Sequence, residues 1–343
     1  MTVTFMLGNG FDLQLGLKTS YRSFLEWYIK SDTQDPDILE FRNYLKNKNS
    51  MWWSDAEIAM GEYLGEFTDD SISIYFKNIR DFKLCLSQYL THENLRYSIA
   101  TTPEVTNNFT AFLSKSPLDI MLRVENLTLD ARRRGAHTTI DFISFNYTNV
   151  IDNLVKALGG ENATIDVHNG FNTRLGHIYH VHGTLDSNLI MGVDNINQLD
   201  TKNITDITKL RRTLIKPIVN DELGRNEHDL AARTIRKSDY LFFYGLSFGD
   251  SDESWWREVK KKLEGDSTCQ VVIFTRSTGE NIQDIIPEDL LDYVSDKKDE
   301  FLAKIGITPN AKSYDDVRKR VFVIRNTERL NISIEDIKET ANV

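Results

Sequence analysis

The stretch that decides the fold is TVTFMLGNGFD, residues 2–12. Its first six residues are apolar and β-prone, which predicts a buried strand. Gly8 and Gly10 then allow a sharp turn and a close backbone approach that a Cβ atom would block. Apolar residues between Tyr21 and Ile29 recur with helical spacing, so a helix is expected beyond the turn. A strand, a glycine turn and a helix favour an anion site, although a tight strand–helix connection explains them too.

Composition limits the classes of protein to which the chain can belong. Its 343 residues are 40% hydrophobic and 27% charged, which is typical of a globular protein with a substantial core. The net charge of -10 repels nucleic acid, so that partner is not expected. No apolar run is long enough for a membrane span, and residues 1–7 lack the features of an export signal. Two cysteines give neither a disulfide framework nor a cysteine-built zinc site. We therefore expect a cytoplasmic protein that does not bind membranes.

Strand-like and helix-like segments alternate in the second half of the chain. Strands are expected at Thr139–Phe145, Ile178–Val181, Tyr240–Tyr244 and Gln270–Phe274. Strands joined by helices predict an α/β fold with a doubly wound, mainly parallel sheet of the Rossmann type. Residues from about 31 to 137 have mainly helical periodicity and no clear parallel strand. We therefore expect one domain over residues 1–343, with a core of residues 1–30 and 138–330 and a helical insertion at about 31–137.

Polar turns follow four of the expected strands at their carboxyl ends. These turns are Gly8–Asp12, Asn146–Asn149, His182–Gly183 and Gly245–Asp250. Ligands of parallel sheets bind at the carboxyl ends of the strands. The four turns are therefore expected to line one pocket.

Five motifs occur in a fixed order along the chain: Gly8-Asn9-Gly10-Phe11-Asp12, Trp53-Ser54-Asp55-Ala56-Glu57, Phe145-Asn146-Tyr147-Thr148, His182-Gly183 and Gly245-Leu246-Ser247-Phe248-Gly249-Asp250. Up to about residue 260 this set resembles AbiH, a family of bacterial phage abortive-infection proteins. Without the tryptophan-containing motif, the set is also similar to the sirtuin-like NAD-hydrolysing domains of bacterial defence systems. The resemblance implies a Rossmann/sirtuin-like sheet and a phage-defence effector, an NAD glycohydrolase that hydrolyses the nicotinamide–ribose bond of NAD.

The same resemblance implies roles for individual residues. Asn146 matches the catalytic asparagine and His182 matches the catalytic histidine. Tyr21-Arg22 is loosely similar to the Phe-Arg of the sirtuin cofactor loop. The residues that would bind the nucleotide are Gly8, Asn9, Gly10, Phe11, Asp12, Arg22, Tyr147, Gly183, Gly245, Ser247, Phe248 and Asp250.

The sequence departs from the sirtuin-like pattern at several points. Thr148 stands where the hydrolases have an aspartate, and Lys18 stands where sirtuins have a proline. The sirtuin zinc module is absent, so protein deacetylation is not expected. NAD would be the substrate, and no cofactor would be required. The expected partners are NAD or a related nucleotide, an unidentified phage trigger and a second copy of the chain in a homo-oligomer.

Cleavage of the nicotinamide–ribose bond places requirements on the site. The reaction passes through an oxocarbenium-like state and needs water beside a base, a role that suits His182. The side-chain amide of Asn146 can hold the nicotinamide carboxamide or the water. Asp12 can accept ribose hydroxyls. No metal is expected: His180 and His182 would share one side of a strand, but no carboxylate at ligand spacing joins them.

Each of these residues also has a purely structural interpretation. His182 can be a hydrogen-bonded histidine at a strand end, and Asn146 can be a turn residue that bonds its own backbone. Asp12 can cap a turn or a helix. Asp250 and Asp252 can cap a helix that begins near Glu253.

Asp55 and Glu57 are two further acidic residues of interest. They are two positions apart, so on a helix they would not share a face.

The sequence leaves two other functions open. A nucleotide-binding sensor or toxin partner without turnover is the main functional alternative, and Thr148 in place of aspartate favours it. A nuclease-type effector is a weaker alternative, because the chain is acidic and lacks a clustered metal-ligand motif.

Overall fold

The computed structural model describes residues 1–48, 55–99, 103, 106–113, 137–168, 171–275, 287–325 and 337–339. Its strands are β1 (Thr2–Leu7), β2 (Tyr97–Ile99), β3 (Thr138–Ser144), β4 (Thr164–His168), β5 (Phe171–His180), β6 (Tyr240–Tyr244), β7 (Gln270–Thr275), β8 (Val321–Arg325) and β9 (Ile337–Glu339). Seven of them form one sheet in the order β4-β5-β3-β1-β6-β7-β8. Within it β4 pairs antiparallel with β5, and the other neighbours are parallel. The predicted α/β class with a mostly parallel sheet is therefore confirmed.

The described helices are α1 (Asn9–Gln14), α2 (Tyr21–Tyr28), α3 (Pro36–Asn47), α4 (Ala56–Tyr63), α5 (Ile72–Arg96), α6 (Val150–Ala157), α7 (Thr208–Leu214), α8 (Lys216–Glu222), α9 (Glu227–Lys237), α10 (Glu253–Gly265), α11 (Pro287–Lys304) and α12 (Tyr314–Lys319). Residues 106–113 are also helical. Between residues 31 and 137, the described part of the chain is mainly helical, as expected. Its one described strand, β2, pairs antiparallel with β9 outside the main sheet.

Successive side chains of a strand point to opposite faces of the sheet. Consecutive residues of β1, β6 and β7 are buried, so both faces of the sheet are covered. Phe5 of β1 stacks on Phe142 and Phe242 of the flanking strands, with ring centroids 5.8 and 4.8 Å apart. That face packs against α6 and the helical residues 106–113. The adjacent residue Met6 faces the other way, into a core built with α9, α10 and α11. Helices therefore cover both faces of the sheet.

A separate apolar cluster lies among the helices that follow β1. It joins α2, α3, α4 and α5 with residues from the segment between β5 and α8. Phe24 and Phe82 pack edge to face at its centre, with ring centroids 5.0 Å apart. Tyr147, from the turn after β3, also belongs to this cluster. The helical layer therefore packs directly against one of the predicted site turns.

The register of the central strands aligns their carboxyl ends. Leu7 at the end of β1 pairs with Ser144 of β3 on one side and with Tyr244 of β6 on the other. Ser144 in turn pairs with His180 at the end of β5. Numbered along the chain, the six parallel strands have the spatial order 3-2-1-4-5-6, so the order reverses at β1. The four predicted turns therefore begin at the same level on one edge of the sheet.

Candidate functional site

The turns after β1, β3, β5 and β6 line one cavity of about 410 Å³. The helical layer closes it with residues of α2, α4 and α5, among them Tyr21 and Leu86. The structure brings together both predicted catalytic residues and most of the predicted binding residues. Those that line the cavity are Gly8, Asn9, Gly10, Asp12, Asn146, Tyr147, His182, Gly245, Ser247 and Phe248.

Four of the predicted binding residues do not line the cavity. The ring of Phe11 is buried in the core, edge-on to Tyr244 with centroids 5.8 Å apart. Arg22 is exposed on α2, where its Nε lies 3.3 Å from Glu26 Oε1. The position of Arg22 therefore gives no support to the nucleotide-binding role that its sequence similarity implies.

Gly183 and Asp250 are the other two. Gly183 has a φ of +75°, and a Cβ atom there would lie 1.8 Å from the Asn188 carbonyl oxygen. The glycine is therefore explained by the turn itself. The Asp250 carboxylate accepts a hydrogen bond from Lys304 Nζ over 3.2 Å at the surface.

The glycines of the first and last turns pack against each other. A Cβ atom on Gly245 would lie 2.4 Å from the Phe11 nitrogen, and one on Gly10 would lie 2.5 Å from the Gly245 Cα. The Gly10 N–H donates to the Gly245 carbonyl over 2.9 Å, and the Gly8 N–H donates to the Tyr244 carbonyl over 3.0 Å. These N–H groups are therefore engaged within the protein, so the expected anion contact does not fall on them. The glycines instead allow the two turns to meet.

Asp12 joins the first turn to the second. Its side chain is buried, and both of its carboxyl oxygens accept hydrogen bonds: Oδ1 from Asn146 Nδ2 over 3.0 Å and Oδ2 from Thr148 Oγ1 over 2.6 Å. Burial raises the pKa of Asp12 to about 7, although the bonds from Thr148 and Asn146 act in the opposite direction. The carboxyl group is thus a buried bridge between turns, and capping does not explain it.

Asn146 is fixed from the same side. Its Nδ2 donates to the Gly8 carbonyl over 3.1 Å as well as to Asp12. An amide nitrogen has two protons, so its donor capacity is filled. Only the acceptor Oδ1 is left for contact with a ligand. The amide connects two strands' turns, so the purely local turn interpretation of Asn146 is insufficient.

His182 pairs with the last turn. Its Nε2 lies 2.9 Å from Asp252 Oδ1, and both side chains line the cavity. An ionised carboxylate only accepts hydrogen bonds, so Nε2 carries the proton and Nδ1 of a neutral ring is the basic nitrogen. The helix expected near Glu253 does begin there, but the Asp252 side chain makes no capping bond. Asp252 therefore stands at the N-cap position, as the structural interpretation expected, but its side chain does not cap the helix.

Lys216 was not predicted, although it lies next to this pair. Its Nζ is 2.7 Å from the same Asp252 oxygen and 3.0 Å from Glu57 Oε2. Burial alone would raise the pKa of the Asp252 carboxyl, but Lys216 and His182 outweigh burial and hold it well below its usual range. Burial would likewise lower the pKa of Lys216, but Asp252, Glu57 and Asp194 outweigh it and raise that pKa. Lysine and aspartate therefore both stay ionised.

The helical layer contributes two acidic residues to the cavity. Glu57 Oε1 accepts hydrogen bonds from the Gly192 N–H over 3.1 Å and from the Tyr147 hydroxyl over 3.3 Å. Asp55 precedes α4 in an extended conformation and caps it through bonds from the Glu57 and Ile58 N–H groups, each 3.1 Å long. The expectation for two residues on one helix does not apply, because Asp55 lies outside the helix. Trp53 and Ser54 of this motif lie outside the described residues.

The charged lining of the cavity is mainly acidic. The acidic and basic side chains that line it are Asp12, Asp55, Glu57, His182 and Asp252, and no lysine or arginine is among the described lining residues. Burial, followed by the neighbouring Glu57, raises the pKa of Asp55. His180 lies apart from His182 and pairs with Asp152 over 2.9 Å. In the part of the chain that the structure describes, no three potential metal ligands cluster. The cavity therefore favours a group on which positive charge is present or develops.

Fold and site together define an α/β protein with a ligand-sized cavity at the carboxyl edge of a mostly parallel sheet. The model of the family described as bacteriophage abortive infection AbiH matches residues 4–274, and the chain belongs to this family. Membership suggests a role in phage abortive-infection defence. No curated protein matches the chain. Among the described helices, none combines the length and the apolar character that crossing a membrane requires.

Proposed function

We propose that this chain is a cytoplasmic abortive-infection effector that hydrolyses the nicotinamide–ribose bond of NAD. The family supplies the defence context. The observation that carries the chemistry is the His182–Asp252 pair, 2.9 Å apart, in a cavity that Asn146 also lines. A histidine whose ring is oriented by a carboxylate can act as the base that activates water, and the Asn146 amide in the same cavity can hold the water or the substrate.

The order of the strands supports a nucleotide as the ligand. The parallel strands follow the order 3-2-1-4-5-6, which is that of dinucleotide-binding Rossmann sheets. In such sheets the ligand binds where the order reverses, and here that point is the carboxyl end of β1. The cavity begins there, at Gly8. This order is the basis for proposing a Rossmann/sirtuin-like site.

In the proposed reaction, the bond between ribose C1′ and the pyridinium nitrogen breaks and its electron pair leaves with neutral nicotinamide. Water adds to C1′, and its proton passes to Nδ1 of His182. The products are nicotinamide, ADP-ribose and one proton. Positive charge grows on the ribose in the transition state, where the acidic lining stabilises it. The Asn146 Oδ1 accepts a hydrogen bond from the nicotinamide carboxamide or from the water.

Thr148 is relevant to whether the protein hydrolyses NAD or only binds it. It stands where the similar hydrolases have an aspartate, yet its hydroxyl donates to the Asp12 carboxyl over 2.6 Å. We propose that Asp12, which lines the cavity, supplies the carboxyl group that this turn lacks. Asp12 would then accept a ribose hydroxyl and orient the sugar.

A second candidate is a nucleotide-binding sensor or toxin partner without turnover, and Thr148 is the residue that favours it. Cells that carry the wild-type protein, H182A or H177A would be challenged with phage while cellular NAD is measured. His177 is a matched control, because it is an exposed histidine that pairs with Glu161. We expect protection and NAD loss with wild type and H177A, and neither with H182A. Protection by H182A without loss of NAD would favour the sensor and overturn the enzyme.

A further inference from the structure

We infer that Lys216 is a positioning residue of this site, which supplies the countercharge to Asp252 and thereby keeps His182 neutral, with its single proton on Nε2. The inference deepens the proposed function and rests on it for its kinetic test. Lys216 does not itself line the cavity, so it acts through Asp252.

The contacts place one cation among three carboxylates. Lys216 is 3% exposed, and its Nζ lies 2.7 Å from Asp252 Oδ1 and 3.0 Å from Glu57 Oε2. The oxygen that accepts from Lys216 is the one 2.9 Å from His182 Nε2. Asp194, also buried, faces the same ammonium group.

The position of the lysine is set by the backbone. Its N–H donates to the Val193 carbonyl over 2.8 Å, beside a short parallel bridge between Val193 and Ile215. Glu57 comes from the helical layer, and Asp252 comes from the turn after β6. Three segments that are remote in sequence therefore meet at one ion cluster. Through Glu57, the helical layer takes part in holding the histidine.

Charge balance gives the expected effect of removing the lysine. With Lys216 in place, Asp252 already has a cationic partner and does not depend on a charged imidazole. Without it, the buried Asp252 carboxylate has no lysine partner, which is costly in a protein interior. Protonation of His182 would then supply the missing positive charge, and a protonated imidazole cannot act as the base. The other described groups that face this cluster are Asp194, Asp55, Tyr21, Tyr147 and Lys83. Lys83 is the cation among them, and it lies on the Glu57 side, so Asp252 depends on Lys216 and His182.

The kinetic test compares the pH profile of nicotinamide release from NAD in wild type, K216M and K216R. In K216M the acidic limb of this pH profile should move to higher pH by about one unit or more. K216R should return the limb to its wild-type position, because arginine keeps the positive charge. K262M is the matched control: Lys262 is a buried lysine whose Nζ lies 2.7 Å from Asp266, outside the cavity. Its variant should lose stability and leave the profile unmoved. A K216M profile that coincides with wild type would overturn the inference.

A second measurement does not depend on activity. Nitrogen NMR of the His182 ring at neutral pH, assigned by comparison with H182A, should show one proton on Nε2 in wild type and two ring protons in K216M. A doubly protonated ring in wild type, or the same state in both proteins, would contradict the inference. If K216M does not fold, K216Q takes its place, since glutamine keeps a donor for the carboxylates. If the ring protons of His182 differ between wild type and K216M but neither protein hydrolyses NAD, the proposed function alone is refuted. If wild type hydrolyses NAD but K216M leaves both the pH profile and the ring protons of His182 unchanged, the inference alone is refuted.

Discussion

The hydroxyl of Thr148 donates to the buried carboxyl group of Asp12 over 2.6 Å, so a side-chain bond joins the turn after β3 to the turn after β1. Residues 136 positions apart meet here because their strands are neighbours in register. The carboxyl group at this junction is the one that we propose for the site. It comes from the first turn and reaches the second through a hydroxyl.

The first prediction concerns the pH dependence of stability. Burial raises the pKa of Asp12 to about 7, against about 4 in an unfolded chain. The folded state therefore binds this proton more tightly than the unfolded chain does. The resulting stabilisation of the folded state is fully present below about pH 4 and is lost as pH rises through about 7. Ionisation in place costs on the order of 4 kcal/mol. Urea unfolding of wild type and D12N across this range should show the wild type losing stability relative to the variant as pH rises. Parallel curves would refute the assignment.

The second prediction concerns the contact between the first and last turns. Gly245 has a φ of +68°, and a Cβ atom there would lie 2.4 Å from the Phe11 nitrogen. G245A should therefore lower the free energy of unfolding by about 2 kcal/mol or more. Gly265, at the end of α10, has nothing within 4 Å of an added Cβ atom. As a control, G265A should leave stability unchanged or raise it slightly. Equal effects of the two variants would show that the turns do not meet as described.

The third prediction concerns the side-chain amide of Asn146. N146A removes the bonds to the Gly8 carbonyl and to Asp12, which should cost about 1–3 kcal/mol of stability. N146D has nearly the same shape but places a carboxylate against those two oxygens. As pH rises and the two neighbouring carboxyl groups ionise, N146D should therefore lose stability relative to N146A. Thermal unfolding of both variants as a function of pH checks this trend, and the reverse trend would mean that Nδ2 does not donate to Asp12.

Much of the sheet was predictable because its central strands are continuous apolar runs. β1, β3, β6 and β7 lie within about one residue of their expected positions. β4 and the first half of β5 were not predicted, since edge pairing tolerates polar residues such as those of Asn172–Arg174. β8 was not predicted either, although Val321–Ile324 is an apolar run that signals a strand.

The convergence of the four turns followed from the rule that parallel strands end at one edge. Lys216 was beyond such a rule, because its partners lie 36 and 159 residues away and no local pattern links them. Its flanks, Leu214-Ile215 before and Pro217-Ile218-Val219 after, are the signal that could have revealed a buried lysine. The role of Asp252 was hidden for a similar reason, since its position before a helix favours a cap.

The most direct test of the account is the release of nicotinamide from NAD by protein purified from phage-challenged cells. Wild type should release nicotinamide and ADP-ribose in equal amounts. H182A and D252N should be slower by about 10²–10⁴-fold, because each removes one half of the oriented base. Phage protection by a wild-type protein that releases no nicotinamide, or release that both variants retain, would contradict the account.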